Sequence, residues 1–158
     1  MSKLIPLTQN KFAIVDDNDF ERLNQWKWYA VQEKHTWYAV RAIWNNGRAI
    51  TIPMHRDILN SPNGMETDHK DHNGLNNCRY NLRLASRMQN QHNRESHCGT
   101  SKYKGVSWHK RDKKWQSQIR VNRKLVHLGC FDNEIEAAKV YNIKATELFG
   151  EFAYVNNL

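Results

Sequence analysis

Short runs of apolar residues, separated by polar clusters, recur along residues 1–52, and this pattern predicts strands. The runs KFAIV, WKWYAV, TWYAVRAIW and RAITIP are rich in β-branched and aromatic residues, and they are separated by DDND, QEKH and NNG. Asparagine and glycine tolerate positive φ, so Asn45, Asn46 and Gly47 predict a hairpin turn. We therefore expect a small antiparallel sheet. Its core should be filled by four of the chain's six tryptophans, rather than these forming a base-stacking surface: Trp26, Trp28, Trp37 and Trp44.

The middle of the chain, residues 53–98, predicts the order strand, loop, strand, helix. MHRDIL indicates a short helical turn before this unit, and ETDH and NLRLAS have the character of short strands. SRMQNQHNRES offers Ser86 as a helix N-cap followed by polar helix formers.

Residues 99–158 predict a three-stranded sheet covered by one helix. After the linker ESHCGTS come YKGVSWHK, KWQSQIRVN and KLVHLGCF, and then a helix with Asn133 as N-cap, Glu136 as capping-box partner and Gly150 as its end. The expected apolar face of this helix recurs at three to four residues: Ile135, Ala138, Tyr141, Ala145 and Leu148. The sequence thus predicts an α+β protein with three parts, residues 1–52, 53–98 and 99–158.

The net charge of the chain limits the classes of molecule that it is expected to bind. The chain of 158 residues carries a formal charge of +8, which favours nucleic acid or an acidic membrane surface over neutral small molecules. Nine Lys/Arg against one Asp/Glu lie within residues 101–130, so the excess is concentrated in the third part. Three scattered cysteines without a C-x-x-C pair predict neither disulfides nor a zinc cage. With no long apolar run and no secretory signal, we expect a soluble protein of the cytoplasm, with no membrane partner.

Residues 67–93 hold three histidines, two aspartates and six asparagines, which core packing does not explain. Phosphodiester hydrolysis needs a base that activates water and a cation that stabilises the developing charge. Asp68 and His69 are adjacent on a predicted strand, so one side chain can meet a hard metal while the other faces a water. Asn90 and Asn93, three apart on the following helix, could return oxygen ligands suited to magnesium.

The stretch TDHKDHNGLNNCRYNLRLASRMQNQHN resembles the HNH nuclease motif, the ββα-metal fold, in the His-Asn-Asn form found among phage and intron homing endonucleases. The resemblance covers about residues 53–98. It implies that Asp68 is a metal ligand, His69 the general base, Asn81 the residue that orients this histidine, and Asn90 the helix-borne ligand of Mg²⁺ or Mn²⁺.

Some neighbouring residues of this motif receive smaller roles. His72 is the lesser alternative for the base, and Asn93 and His92 are weaker candidate site residues. The loop asparagines are expected only to shape a tight loop: Asn73, Asn76 and Asn77. His55 and Arg56, just before the motif, could touch phosphate.

The third part, from YKGV to the terminal YVN, resembles the plant ethylene-response-factor (APETALA-type) DNA-binding domain. In that fold a three-stranded sheet lies in the major groove with a helix behind it, and strand alternation sends one set of side chains to DNA. The resemblance implies that the residues facing the groove are Lys104, Ser107, His109, Trp115, Gln118, Arg120 and His127. Those near phosphates would be Lys110, Lys113, Lys114, Arg123 and Lys124. Ser107, His109 and His127 depart from the plant pattern, so its preferred DNA sequence does not transfer.

Together these features predict a site-directed DNA endonuclease of homing type, encoded by a phage or mobile element. We expect one divalent metal, no small-molecule cofactor, double-stranded DNA as partner, and a monomer that nicks one strand. Two alternatives stay open: a non-enzymatic DNA-binding regulator on the same scaffold, and an RNA-binding or RNA-processing protein.

Overall fold

The computed structural model describes residues 1–33, 36–94 and 100–158, which form two compact units, Met1–Asn90 and Gln91–Leu158. The predicted α+β class is confirmed, with small antiparallel sheets and four helices in the described part. The predicted boundary at residue 52 falls inside the first unit. The boundary at residue 98, most of the predicted linker and the end of the QEKH turn lie outside the described residues. None of the helices described here is long and apolar enough to cross a membrane.

The first unit begins with a hairpin, of which only the second strand was predicted, and with a helix that the sequence pattern did not reveal. Strands β1 (Ser2–Pro6) and β2 (Phe12–Asp16) pair antiparallel, and helix α1 (Asp17–Asn24) follows directly. The acidic run DDND was interpreted as a separator between strands. Instead, Asp17 and Asp19 occupy the first turn of α1, where negative charge interacts favourably with the helix dipole.

A second sheet has the order β3 (Tyr29–Glu33), β4 (Thr36–Asn45), β5 (Arg48–Pro53). The predicted turn between the last two is confirmed, because Asn46 and Gly47 take φ values of 48° and 75°. The predicted tryptophan core is wrong in part. Trp28 is only 2% exposed, but Trp44 is 77% exposed near the end of the β4–β5 hairpin, where residues 44–51 are all exposed. Trp26, in the segment before β3, is also exposed and lies beneath the guanidinium of Arg41.

The predicted helix–strand–strand–helix order follows. Its elements are α2 (Met54–Leu59), β6 (Glu66–His69), β7 (Leu82–Ala85) and α3 (Arg87–Asn93), with β6 and β7 antiparallel. Ser86 caps α3 as expected: its hydroxyl accepts from Gln89 N, and its own N–H donates to Gln89 Oε1. One apolar cluster joins these elements to the first 52 residues, since Met54, Ile58 and Leu82 pack with Val15 and Trp28. A shared core explains why residues 1–90 form one unit.

The second unit has the predicted sheet and helix. Strands β8 (Val106–His109), β9 (Lys114–Val121) and β10 (Lys124–Phe131) pair antiparallel in the order β10-β9-β8, and α4 (Glu134–Phe149) packs on them. Asn133 caps α4 by accepting from Ile135 N. A 3₁₀ turn, Gly150–Phe152, follows.

The apolar face of α4 is narrower than predicted. Ala137, Ala138, Tyr141 and Ala145 are buried. Ile135 and Leu148 are exposed. Those two assignments were wrong: Ala137 is buried in the first turn instead of Ile135, and Phe149 packs on the core in the last turn instead of Leu148.

Asn156 joins the end of the chain to the start of the second unit. Its Oδ1 accepts from Lys104 N at 2.7 Å, and its Nδ2 donates to Lys104 O at 3.1 Å. The side chain of Asn142 donates to the carbonyl of Asn156 through Nδ2 and accepts from its backbone N–H through Oδ1. This buried side chain therefore satisfies two backbone groups that would otherwise lose their partners.

We predict that Asn156→Ala lowers the free energy of unfolding of the second unit by about 2–4 kcal/mol, because two buried backbone groups lose their hydrogen bonds. Chemical denaturation of the full chain, followed by circular dichroism, measures this. Asn157→Ala is the matched control at an exposed neighbouring position. Equal stability of the two variants would contradict the assigned role.

Candidate active site and nucleic-acid interface

The four-residue strand β6 turns Asp68 and His69 toward opposite faces, because successive side chains of a strand alternate. Both are buried, at 5% and 6% exposure. Asp68 pairs across the hairpin with Arg83, whose Nε lies 2.8 Å and whose Nη2 lies 2.6 Å from Asp68 Oδ2. The predicted divergence of the two side chains is therefore present, and Asp68 has a cationic neighbour.

Asn90 reaches the Asp68 side of β6 through Glu66. Glu66 lies two residues before Asp68 and so shares its face of the strand. Asn90 Nδ2 on α3 donates to Glu66 Oε2 at 2.5 Å. Glu66, which shares the face of β6 with Asp68, thus contacts Asn90 of α3, the second predicted metal ligand.

The oxygen donors on this face suit a hard divalent cation. Glu66 and Asp68 offer carboxylates and Asn90 an amide oxygen, with no sulfur among them. Among the described residues, no three His, Cys, Asp or Glu side chains form a group that could hold a metal ion. An ion here would therefore depend on the amide oxygen of Asn90 as well as on carboxylates.

On the other face of β6, His69 contacts a loop asparagine. His69 Nε2 lies 3.3 Å from Asn77 Oδ1, and Asn77 Nδ2 donates to Gly74 O at 3.5 Å. A carbonyl only accepts, so the second contact fixes the amide with its oxygen toward the imidazole. Since an amide oxygen also only accepts, Nε2 carries the proton and the lone pair of neutral His69 is on Nδ1.

Two aromatic rings enclose His69. His55 on α2 packs edge-on against it with ring centroids 5.1 Å apart, and Tyr38 on β4 lies 5.8 Å away. His55 Nδ1 is enclosed and has no hydrogen-bond partner in the described chain. Burial, then the proximity of His69 and Arg56, lowers the pKa of His55 to about 3. The second imidazole is therefore uncharged at neutral pH.

Burial is also the largest influence on the pKa of His69, and it lowers that pKa. The hydrogen bond with Asn77 and the negative charges of Asp71 and Asp68 act in the opposite direction without outweighing burial. His69 is thus held neutral at neutral pH, the state in which an imidazole accepts a proton.

Asn81 contacts the loop rather than His69. Its Nδ2 donates to Asp71 Oδ1 and to Asn76 O, each at 2.8 Å, and its Oδ1 accepts from Asp71 N at 3.1 Å. Asn76 Nδ2 donates to Asp71 Oδ2 at 2.7 Å. Burial raises the pKa of Asp71, but these hydrogen bonds and one from Asn73 N outweigh burial. The pKa of Asp71 is therefore lowered overall, and the carboxylate stays ionised. Asn81 closes the loop that carries Asn77.

The loop is also attached to the start of the chain. Ile14 N donates to Leu75 O at 2.8 Å, and Asn77 N donates to Ile14 O at 2.7 Å. The Arg79 side chain donates twice to Asp19, at 2.6 and 2.8 Å. Residues 1–52 therefore support the loop around His69.

The remaining motif residues lie farther along the same elements. His72, the alternative base, is exposed in the loop at a positive φ of 62°. Asn93 is buried at the end of α3. His92 stacks on Phe149, with ring centroids 3.7 Å apart.

In the second unit, the face of the sheet opposite α4 gathers most of the predicted groove residues. Ser107 pairs with Gln116 and His127 with Gln118, so these alternate positions share one face. The residues on it are Ser107, His109, Lys114, Gln116, Gln118, Arg120, Leu125, His127 and Cys130. We call this set the outer face. Of the five residues predicted near phosphate, Lys114 is half-buried on the outer face, and the other four are exposed in or beside the two turns: Lys110, Lys113, Arg123 and Lys124.

Two predicted groove residues lie elsewhere. Trp115 alternates with Gln116 and packs on the α4 side, 5.2 Å from the Trp108 ring. Lys104 precedes β8, and its ammonium donates to the carbonyls of His92 and Arg94. Burial lowers the pKa of Lys104 to about 8. Strand register and internal hydrogen bonding thus place both side chains away from the outer face.

Sequence reasoning missed three contacts of these surfaces. Asn77 was interpreted as a turn former, and nothing in the run of two asparagines distinguishes it from Asn76. Glu66 was predicted to lie in a strand, but no function was assigned to it. Gln116 was omitted although it alternates with Gln118, and its Nε2 lies 2.9 Å from His127 Nδ1; strict alternation along KWQSQIRV would have found it.

Comparison with known proteins gives relatives for both units. The uncharacterized HNH endonuclease L560 of Acanthamoeba polyphaga mimivirus is 29% identical over 153 residues, covering 93% of this chain and 75% of the viral protein. Protein 3.8 of Escherichia phage T7 is 34% identical over 93 residues, 58% of this chain and 76% of the phage protein. No family model matches the chain.

A third similarity is shorter. APETALA2-like protein 2 of rice, Oryza sativa subsp. japonica, is 37% identical over 60 residues, 37% of this chain and 14% of the plant protein. Both resemblances seen in the sequence are thereby confirmed.

We predict that His69 carries its proton on Nε2 and that Asn77→Ala lowers its pKa further, because the variant loses the acceptor that favours the protonated ring. Long-range ¹H–¹⁵N spectra recorded across a pH titration report the tautomer and the pKa. Asn73→Ala, in the exposed part of the same loop, should leave His69 unchanged. A protonated Nδ1 in the neutral wild-type ring would refute the assignment.

Proposed function

The chain belongs to the HNH endonuclease family, and from this premise we propose that it is a metal-dependent DNA endonuclease that hydrolyses one phosphodiester bond per site. The observation that carries the proposal is the environment of His69: a buried imidazole whose Nε2 lies 3.3 Å from Asn77 Oδ1 and whose pKa burial lowers, on a strand whose other face is lined with oxygen ligands.

His69 acts as the general base. Its Nδ1 lone pair takes a proton from the attacking water, and the resulting imidazolium is stabilised by Asn77 and by the carboxylates of Asp71 and Asp68. The same three groups are those that raise the pKa of His69 against burial. Asn81 serves this step indirectly, because it holds Asp71 and the loop that positions Asn77.

Asp68 and Asn90 would hold the divalent ion, Mg²⁺ or Mn²⁺. When bound, the ion would stabilise the negative charge that develops on the scissile phosphate and the leaving oxygen. Arg83 neutralises part of the charge of Asp68 and orients that carboxylate through two nitrogens.

The outer face of the second unit would read the DNA. A flat antiparallel sheet can enter the major groove, where Gln118, Arg120 and His127 could contact base edges. The exposed lysines and arginine of the turns would contact phosphates. The identity to a rice APETALA2-like protein and the charge of residues 101–130 support this role. The nuclease site, with few substrate contacts of its own, thereby gains a reader that selects where it cuts, as homing enzymes of phages and mobile elements require.

We further propose a monomer that nicks one strand. One Asp68, one His69 and one Asn90 make a single site per chain, and one base aligns water with only one phosphodiester at a time.

A non-enzymatic DNA-binding regulator on the same scaffold is the second candidate. The Asp68–Arg83 ion pair favours it, because a buried carboxylate with a cationic partner can be purely structural.

We predict that the wild-type chain with Mg²⁺ converts supercoiled plasmid carrying candidate host DNA to the open-circle form, and that chelation stops the reaction. His69→Ala should slow cleavage at least about 100-fold, since general-base catalysis is lost, while DNA binding persists. Gel electrophoresis and a binding assay measure both.

His72→Ala is the matched control, because this exposed histidine three residues away should be dispensable. Binding without any cleavage by the wild type would favour the regulator. Linear product without a preceding open circle would contradict the monomeric nickase, and an inactive His72→Ala beside an active His69→Ala would reverse the choice of base.

We predict that Arg120→Ala weakens duplex DNA binding by about 1–3 kcal/mol and lowers its dependence on salt, because the outer face loses a cation that contacts DNA. Lys139→Ala removes the same charge from an exposed position on α4, behind the sheet. Fluorescence anisotropy at several salt concentrations compares the two variants. An equal loss in both would indicate a general charge effect instead of a reading face.

A further inference from the structure

The hydrogen bond between α3 and β6 fixes which end of the Asn90 amide faces away from Glu66. Asn90 Nδ2 donates to Glu66 Oε2. An ionised carboxylate has only acceptors, so it selects the NH₂ end of the amide and leaves Oδ1 at the opposite end. The assignment follows from chemistry, since exchanging the amide atoms would set two acceptors against each other.

This orientation matters because only one end of an amide binds a hard cation. The oxygen carries the negative end of the dipole, whereas the nitrogen lone pair is delocalised and its hydrogens repel a cation. An asparagine without a partner can present either end after a small rotation about χ2. A carboxylate that holds the NH₂ end of the amide therefore prevents the rotated orientation, which cannot bind a cation.

Glu66 also differs from Asp68 in its position across the hairpin. Asp68 lies opposite Arg83, with which it forms a buried ion pair, whereas Glu66 lies opposite Ala85. Its carboxylate is directed to the amide of Asn90 on α3. The two acids of this face thus have separate roles. Asp68 carries oxygens that can bind the metal, and Glu66 contacts Asn90, the other predicted metal ligand.

We propose that Glu66 is a positioning residue that holds the Asn90 amide with its oxygen presented to the divalent ion. The inference rests on the proposed function, in which Asp68 and Asn90 hold that ion. Hydrogen-bond partners of metal ligands commonly contribute 10–100-fold to metal affinity.

The test is calorimetric titration of the full chain with Mn²⁺ alone, without DNA. Glu66→Leu, which keeps bulk but removes the acceptor, should weaken Mn²⁺ binding about 10-fold or more. Glu66→Gln keeps an oxygen acceptor for Asn90 Nδ2 and should stay within about 3-fold of wild type. Thr67→Val, on the opposite face of β6, is the control and should bind as wild type does.

A double-mutant cycle separates positioning from a general effect. In the Asn90→Ala background, Glu66→Leu should cause no further loss, because the residue that it positions is absent. Circular dichroism checks the fold, and Glu66→Ser replaces the leucine variant if that variant does not fold.

Three results would overturn the proposal. Wild-type affinity in Glu66→Leu would mean that the contact is irrelevant to the ion. Equal losses in Glu66→Gln and Glu66→Leu would mean that the carboxylate charge itself binds the metal. Absence of Mn²⁺ binding by the wild type would remove both this proposal and the metal-dependent function, whereas the first two results leave that function standing.

Discussion

Burial of His69 at the end of a four-residue strand is the constraint on which the first unit depends. A buried imidazole is held neutral by loss of water, but its two nitrogens then need defined surroundings. The loop that supplies Asn77 cannot rest on β6 alone, since two short strands bury little surface. It is held by β2 and α1, through Ile14 and through the Arg79–Asp19 ion pair. Residues 1–52 are therefore part of the site's support.

The same short strand also separates the two chemical tasks. Alternation sends His69 toward His55, Tyr38 and the loop, and sends Asp68 toward Arg83 and the face shared with Glu66. Had both side chains shared one face, the full negative charge of Asp68 would have raised the pKa of His69 more strongly and favoured its charged form. Separation by one residue keeps the base neutral while acids remain close enough to stabilise the protonated ring.

Much of this architecture could be predicted from the sequence, because it depends on local patterns. Short runs rich in β-branched and aromatic residues predicted β2–β5, short strand-like runs predicted β6–β10, and caps at Ser86 and Asn133 predicted the starts of α3 and α4. Asp68, His69 and Asn90 were predicted from the chemistry of phosphodiester hydrolysis and from the resemblance to the HNH motif. What failed depends on tertiary contacts: α1 begins in an acidic run, Trp44 lies beyond the core, and Trp115 and Lys104 are engaged inside their own unit. Asn77 was missed because its partner is defined only once the loop closes.

The asparagines of this loop have a physical reason beyond turn geometry. A buried loop beside an imidazole must satisfy backbone and ring groups with side chains that both donate and accept, which an amide does without a net charge. Asn76 and Asn81 do this around one carboxylate, Asp71, which their hydrogen bonds keep ionised. Asn77 does it between His69 and the carbonyl of Gly74. An aspartate at position 77 would place a full negative charge next to Nε2 and raise the pKa of His69, so that more of the ring would be protonated at neutral pH. An amide at this position orients the base without charging it, which is the combination that hydrolysis at neutral pH requires.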